Sequence, residues 1–419
     1  MPHRPFRFLH ASDFHLEMPL GGLAEVPDHL REPLVDSPLR AARRVFDAAL
    51  AEEVEFLVLS GDILHPQRAG LQGPLFLVEQ FSRLAAAGIA VYWAGGPIDP
   101  PEAWPAAFPL PNGVQQFPTG RVAEIVFSRD GQPLARLCGT SHNGSAAPPP
   151  AAFQPDPAGL FSLAVFHGAA DAASLQSQAI DYWALGGQHD RTTLFSASHV
   201  AHYPGSPQGR RPEEAGVHGC TLVQVDDHGQ ARTSLLPTDE IRYLDEQIIV
   251  DQQTTREALE NLFRQRVQAL VESSPRAGLL LAWTLSGSGP LMAQLRRGGL
   301  AAELLDWLRT EYGFGSPPAW SATLEVQRAD AAAAQYYDQE TILGDFLRAV
   351  RQAEVNSAES LQLQAYLAES HLAGGLAAVA ALDDPAARDR VLAEAAWLGL
   401  ELLGGAEPTP AAISKERPS

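Results

Sequence analysis

Aspartate and histidine recur in this chain where apolar runs end. "FRFLHASDFHL" (6–16) closes on Asp13 and His15, "EFLVLSGD" (55–62) on Asp62, and "IAVYWAGGPID" (89–99) on Asp99. Farther on, "FSLAVFHG" (161–168) carries His167 and "DYWALGGQHDR" (181–191) carries His189. Carboxylates favour hard divalent ions and imidazoles borderline ones, so a mixed set gathered at one place suits Mn²⁺, Fe²⁺ or Zn²⁺. A lone buried histidine says little. A series in register with the ends of apolar runs predicts a divalent-metal centre.

The elements that must gather these residues are legible around them. The apolar runs at 6–11, 55–60 and 89–94 read as buried strands. Between the first two, Ser37 and Pro38 read as an N-cap and first turn, followed by Leu39, Ala42, Val45, Phe46, Ala49 and Leu50 at helical spacing. "PLFLVEQFSRLAAAG" reads as a second helix closed by Gly88. Alternating strands and helices predict a parallel sheet covered on both faces, with ligands beyond the carboxyl ends of its strands. From about 121 to 237 the texture shifts to short strands: "RVAEIVF", "LARLCG", "FSLAVF", "DYWALGG", "CTLVQVD" and "ARTSLLP". A boundary is expected near 237–242. Beyond it, Thr254 and Glu257 read as a capping box ahead of Leu259, Leu262, Phe263, Val267 and Leu270. The strands "GLLLAWTL" and "WSATLEV" complete a small α+β module, and 338–403 is helical in pattern. The resulting division is 1–240, 241–330, 331–404 and a disordered tail at 405–419.

Composition narrows the class. The chain has 419 residues and 45% apolar side chains, enough for more than one domain with a core. No apolar run is long enough to span a bilayer, and the first residues lack the apolar stretch of a signal peptide, so a cytoplasmic protein without a membrane partner is expected. Cys138 and Cys220 have neither metal-binding nor redox spacing and read as two buried thiols. A formal charge of −20 excludes a broad electrostatic grip on nucleic acid, leaving only local arginine clusters for phosphate contact. Arg191, Arg210 and Arg211 lie beside the His189 segment and are the candidate phosphate contacts. Arg40, Arg43 and Arg44 on the first helix read better as a solvated face.

The series Asp-x-His, Gly-Asp, a Gly-Gly loop ending in Asp, a lone His and Gly-Gly-Gln-His resembles the signature of the calcineurin-like metallophosphoesterases. "DYWALGGQH" and "YPGSPQGRRPEEAGVHGC" resemble their DNA-repair exonuclease branch (SbcD/YhaO-like), over roughly residues 6–237. That resemblance implies a four-layer αββα sandwich with a small α+β capping module and a helical C-terminus. It implies one ion held by Asp13, His15, Asp62 and His189, and a second held by Asp62, His167 and two further ligands. Those two are replaced: Pro97 stands for the family's Asn and Gly187 for its His. Ile98 stands where the family has the His that protonates the leaving group, so no residue is assigned as catalytic. Neither side chain offers a polar atom, and loss of a general acid removes about 10²–10⁴ in rate. Asp99 is a candidate to compensate by turning inward; His65, His142 and Asp190 are weaker ones. The expectation is one ion, Mn²⁺ foremost with Fe²⁺ or Zn²⁺ as alternatives, and weak or lost phosphodiester hydrolysis. By resemblance, the partners are DNA and an SMC-like coiled-coil ATPase. Two alternatives stand beside it: an inactive DNA-end-binding scaffold, and a small-molecule phosphodiesterase.

Overall fold

The computed structural model describes residues 3–144, 147–296, 299–327, 334–356 and 385–403. The chain divides into two compact units, one of Met1–Asp245, Val271–Leu281 and Tyr312–Ala322, the other of the remainder.

Two six-stranded sheets build the first unit. The first has the order β12-β11-β1-β2-β3-β4, from β1 (Phe6–Ala11), β2 (Phe56–Leu59), β3 (Ala90–Trp93), β4 (Val114–Gln116), β11 (Gly219–Val225) and β12 (Ala231–Pro237). Strands β1 to β4 are parallel, whereas β11 pairs with β1 in the antiparallel sense. The second has the order β5-β6-β7-β8-β10-β9, from β5 (Ala123–Arg129), β6 (Gln132–Gly139), β7 (Phe161–His167), β8 (Tyr182–Gly186), β9 (Thr192–Ser196) and β10 (Val200–Tyr203).

Alternation along the strands explains how the layers stack, because successive side chains point to opposite faces. Leu9, Leu57, Leu59, Val91 and Trp93 face Val45, Phe46 and Ala49 of α1 (Asp28–Ala51) and Leu77, Phe81 and Leu84 of α2 (Gln72–Ala86). Their neighbours Phe8, Phe56, Val58 and Tyr92 point the other way, onto Leu137, Leu163, Val165 and Tyr182 of the second sheet. The parallel sheet is thus covered on both faces, as expected, with helices on one face and the second sheet on the other. Beyond that sheet, Ala164, Phe166, Trp183 and Leu185 are covered by Phe153, Ile180 and Leu175 of the short α3 (Ala172–Gln176), which completes the αββα order.

The first helix starts earlier than the Ser37-Pro38 pair predicts. It begins at Asp28, and both residues lie inside it, buried. Proline at 38 has no N–H for the Leu34 carbonyl four residues back. That carbonyl is met instead by the Ser37 hydroxyl at 3.1 Å and the Leu20 amide at 3.3 Å, so the helix continues through the proline.

In the second unit, α4 (Arg256–Ser273) buries Leu259, Phe263 and Val267, while Leu262 is 41% exposed. Its cap is one residue later than expected: Thr255 Oγ1 accepts the Ala258 amide, and Thr254 Oγ1 bonds Asp251. Phe263 packs edge-on against Trp283 at 4.9 Å. Two helices, at Ile342–Val355 and Pro385–Leu403, bury Leu343, Leu347 and Val350 against Leu392 and Ala396. The stretch 357–384 and the predicted tail lie outside the described residues. Among the described residues no helix is long and apolar enough to cross a membrane.

Candidate metal centre

The parallel strands deliver the candidate residues to one edge. Asp13 and His15 follow β1, Asp62 follows β2, Asp99 follows β3, His167 ends β7 and His189 follows β8. Three of them hold left-handed backbone: φ is 56° at Asp13, 46° at His15 and 56° at Asp62. Outside glycine that region is sparsely used and such conformations concentrate at functional sites. Here the strain is held by loop-to-loop bonds, Asp13 N–H to the Gly61 carbonyl at 2.9 Å and His15 N–H to the Asp62 carbonyl at 3.1 Å.

Two groups of donor atoms lie close enough for one ion each: Asp13, His15 and His189, and Asp13, Asp62 and His167. The residue common to both is Asp13, where the resemblance leads one to expect Asp62. Asp62 nevertheless stands between the two imidazoles, with Oδ2 at 3.8 Å from His15 Nε2 and 3.6 Å from His167 Nε2. Ligand atoms at about 2.0–2.2 Å from a shared ion come this close to each other.

Hydrogen bonds fix the ring tautomers. His167 Nδ1 is 3.0 Å from the Ser60 carbonyl, which can only accept, so the proton sits on Nδ1 and the Nε2 lone pair faces Asp62. His189 Nδ1 donates to Glu214 Oε1 at 2.8 Å, again leaving a lone pair on Nε2. This carboxylate-histidine arrangement is the support that ligating histidines ordinarily have. Glu214 was not among the candidates read from the sequence; the acidic pair of "GRRPEEAG" just past the arginines was its only signal.

Several buried atoms of the cluster lack partners among the described residues: Asp13 Oδ1 and both ring nitrogens of His15. Burying a polar group without a partner costs free energy unless a ligand meets it. An anionic oxygen and the one lone pair of the His15 ring are met by a divalent cation, so the residues present fit the ion that the motif series implies. Burial pushes the Asp13 carboxyl above its ordinary range, against the pull of His167, Ser12 and the Gly187 amide. Burial, then Arg210 and the other imidazoles, lowers His15 to about 3, so its ring is neutral at physiological pH.

The replaced positions also fall at the centre. A side chain at Gly187 would place its Cβ 3.1 Å from His167 Nε2, so position 187 faces the second group, yet glycine offers only its amide, to Asp13 Oδ2 at 3.0 Å. Pro97 is exposed, and Ile98 contributes only a backbone N–H, 3.4 Å from Asp62 Oδ1. Asp99 does turn inward, but as a brace and not as a ligand: it belongs to neither donor group. Its oxygens accept from the amides of Asp62, Ile63 and Gly96 and from Trp93 Nε1, at 2.6–3.1 Å. Burial and the Asp62 charge raise its carboxyl, with those amides pulling back. Asp190 is exposed and His65 joins neither group.

Of the arginines, Arg210 is 3% exposed, with Nη2 3.1 Å from His189 Nε2 and Nη1 buried without a partner among the described residues. Arg191 and Arg211 are exposed. Arg40 and Arg44 are ion-paired with Glu240, and Arg43 lies over the Phe76 ring at 5.7 Å.

No family model matches the chain. It is 30% identical over 232 residues to the uncharacterized metallophosphoesterase YhaO of Bacillus subtilis (strain 168), covering 52% of this chain and 57% of that relative. Over those residues the chain is similar to a metallophosphoesterase, and its αββα sandwich is the architecture that the motif resemblance implies. The chain thus spans little more than half of that curated relative. Among solved structures, a dimetal phosphatase from Danio rerio aligns with 12% identity and a TM-score of 0.34, covering 56% of this chain and 99% of its own. Vps29 from Entamoeba histolytica, crystallised with Zn²⁺, aligns with 13% identity and a TM-score of 0.24, covering 56% and 99%.

Proposed function

We propose that the chain is a divalent-metal phosphodiesterase of nuclease type that works with one firmly held ion and hydrolyses slowly. The carrying observation is the convergence of Asp13 Oδ1 and the His15 ring, both buried without a hydrogen-bond partner among the described residues, beside His189 at one strand edge. Asp13, His15, Asp62 and His189 would hold the ion, with His167 and Asp62 as the remnant of a second site. When bound, the ion supplies Lewis acidity toward a phosphoryl oxygen and toward attacking water. Glu214 keeps the His189 lone pair directed inward. Arg210, whose Nη2 gives up the His189 lone pair when the ion binds and whose Nη1 has no partner among the described residues, would supply a charged donor to the phosphoryl group. No side chain of the Pro97-Ile98 loop donates a proton to the leaving oxygen, which is why turnover is slow.

DNA is the substrate that the motif resemblance favours, with a coiled-coil ATPase as partner and a cytoplasmic setting. Because the chain is strongly acidic, strand contact rests on Arg191, Arg210 and Arg211. The joint replacement at Pro97, Ile98 and Gly187 specifically favours a second reading, a DNA-end-binding scaffold without turnover. Calorimetric Mn²⁺ titration with hydrolysis of bis-p-nitrophenyl phosphate and of DNA separates the two. One ion per chain with metal-dependent hydrolysis, lost in Asp62→Asn, supports the enzyme. An ion without hydrolysis supports the scaffold, and no ion at all overturns the metal-centre reading.

A further inference from the structure

Beside His167 lies a cavity of about 390 Å³ that the site described so far does not use, lined by Arg121, His142, Asn143 and Phe166 among others. Its polar wall is attached to the loop that has lost its chemistry. The His142 amide donates to the Gly95 carbonyl at 2.8 Å. Next to it, the Ser141 hydroxyl accepts the Gly95 amide at 2.8 Å and donates to the Phe117 carbonyl at 2.6 Å. The Gly95-Gly96-Pro97-Ile98 loop therefore fixes where His142 stands: its ring lies edge-on to that of His167, with centroids 6.4 Å apart.

The tautomer of His142 narrows its role. Nδ1 is 3.0 Å from the Gly144 amide, which can only donate, so Nδ1 is the acceptor and the ring proton is on Nε2. A nitrogen carrying a proton has no lone pair for an ion, and His142 belongs to neither donor group. Nor does it suit a proton-donating acid, since a second proton on Nδ1 would break the Gly144 bond. What remains is an N–H donor at Nε2, without a partner among the described residues, next to the half of the centre where positive charge is missing. Arg121, exposed on the same cavity wall, adds a formal charge.

We infer that this cavity is a phosphoryl-binding subsite, in which His142 Nε2–H and Arg121 receive the anionic oxygen of a phosphate ester that a second ion would otherwise meet. The assignment rests on the one-ion phosphodiesterase reading for its context. A neutral imidazole that donates to developing negative charge is an established device for stabilising it.

The test is calorimetric titration of inorganic phosphate into the full-length, Mn²⁺-loaded protein and its variants. His142→Ala is expected to weaken phosphate about tenfold, the scale of one hydrogen bond to a charged group. Arg121→Ala is expected to weaken it severalfold, and His142→Gln, which restores an N–H donor, to recover part of the loss. An unchanged Mn²⁺ isotherm in each variant shows that the centre is folded. Equal phosphate affinity in wild type and His142→Ala overturns the inference. If Mn²⁺ fails to bind, the one-ion reading falls, and the same phosphate comparison in the metal-free protein still decides what His142 does.

Discussion

Replacing Glu214 with Gln changes one charge and almost no volume. In the folded chain, burial raises the Glu214 carboxyl, but the His189 hydrogen bond, the Arg210 amide and the Arg210 guanidinium outweigh it and hold it at about 2 against an ordinary 4.5. The Glu214 side chain is 13% exposed but its partner His189 is 40% exposed, so solvent screens part of this pairing and the full shift is an upper limit on its worth. At about 1.4 kcal/mol per pH unit, the difference corresponds to at most about 3 kcal/mol favouring the folded state. The folded value lies below the unfolded one, so this contribution is complete above pH 4.5 and is lost as pH falls toward 2. Urea unfolding in EDTA, run from pH 7 to pH 3, reads it directly. Glu214→Gln should be less stable than wild type by up to about 3 kcal/mol at pH 7, and the gap should fall to about half by pH 3. In the same variant His189 loses its anionic partner, and Mn²⁺ affinity should drop about 10–100-fold. Equal stability at pH 7, or a gap that does not narrow on acidification, would refute the reasoning.

Two further substitutions probe other parts of the centre. Asp99→Ala strands the amides of Asp62, Ile63 and Gly96 and the Trp93 indole N–H; at about 1–3 kcal/mol for each buried donor left unmet, the urea midpoint should fall by the equivalent of at least about 3 kcal/mol. A midpoint within error of wild type would show that Asp99 is no brace. His15 is held neutral down to about 3 from an ordinary 6.5, so metal-free wild type should lose stability as pH falls from 6.5 toward 3. His15→Gln should flatten that slope in thermal melts at pH 7.5 and pH 5; identical slopes would count against a buried, neutral His15.

The strand ends were legible because each is an apolar run stopped by a polar residue, and the helices because their apolar spacing is regular. What the pattern misplaced has local causes. Ser37-Pro38 has the composition of a helix start, but the Ser37 hydroxyl and Leu20 amide supply the partners that let α1 pass through it. Thr254 has the capping-box spacing to Glu257 and Thr255 does not, yet the Asp251 carboxylate takes the first hydroxyl and leaves the cap to the second. The strands β4 ("VQQ"), β9 ("TTLFS") and β10 ("VAHY") escaped notice because, unlike the equally short β2 and β3, they hold no unbroken apolar run. At the centre, residue type singled out the candidate ligands, whereas tautomer and support depend on contacts far apart in the chain. Glu214 is 25 residues from His189, and no spacing rule links them. Asp99 is a candidate to compensate on sequence alone because nothing in "GGPID" tells that its oxygens are filled by the amides of its own and the preceding loop.

The antiparallel seam between β1 and β11 has a consequence for how this chain comes into being. Phe6 is in register with Val225 and His10 with Thr221, so the strand that presents Asp13 meets one of its two neighbours only after more than half of the polypeptide exists. Pairings so distant in sequence are slow to close. On the ribosome, where domains take shape as they emerge, β1 has one open flank until β11 arrives, and His189 and Glu214 arrive scarcely earlier. A nascent chain stalled before about residue 225 therefore exposes an apolar strand edge and has no finished centre. On the one-ion reading, ion capture would be a late event, though it would still precede the 271–281 and 312–322 segments that complete the first unit.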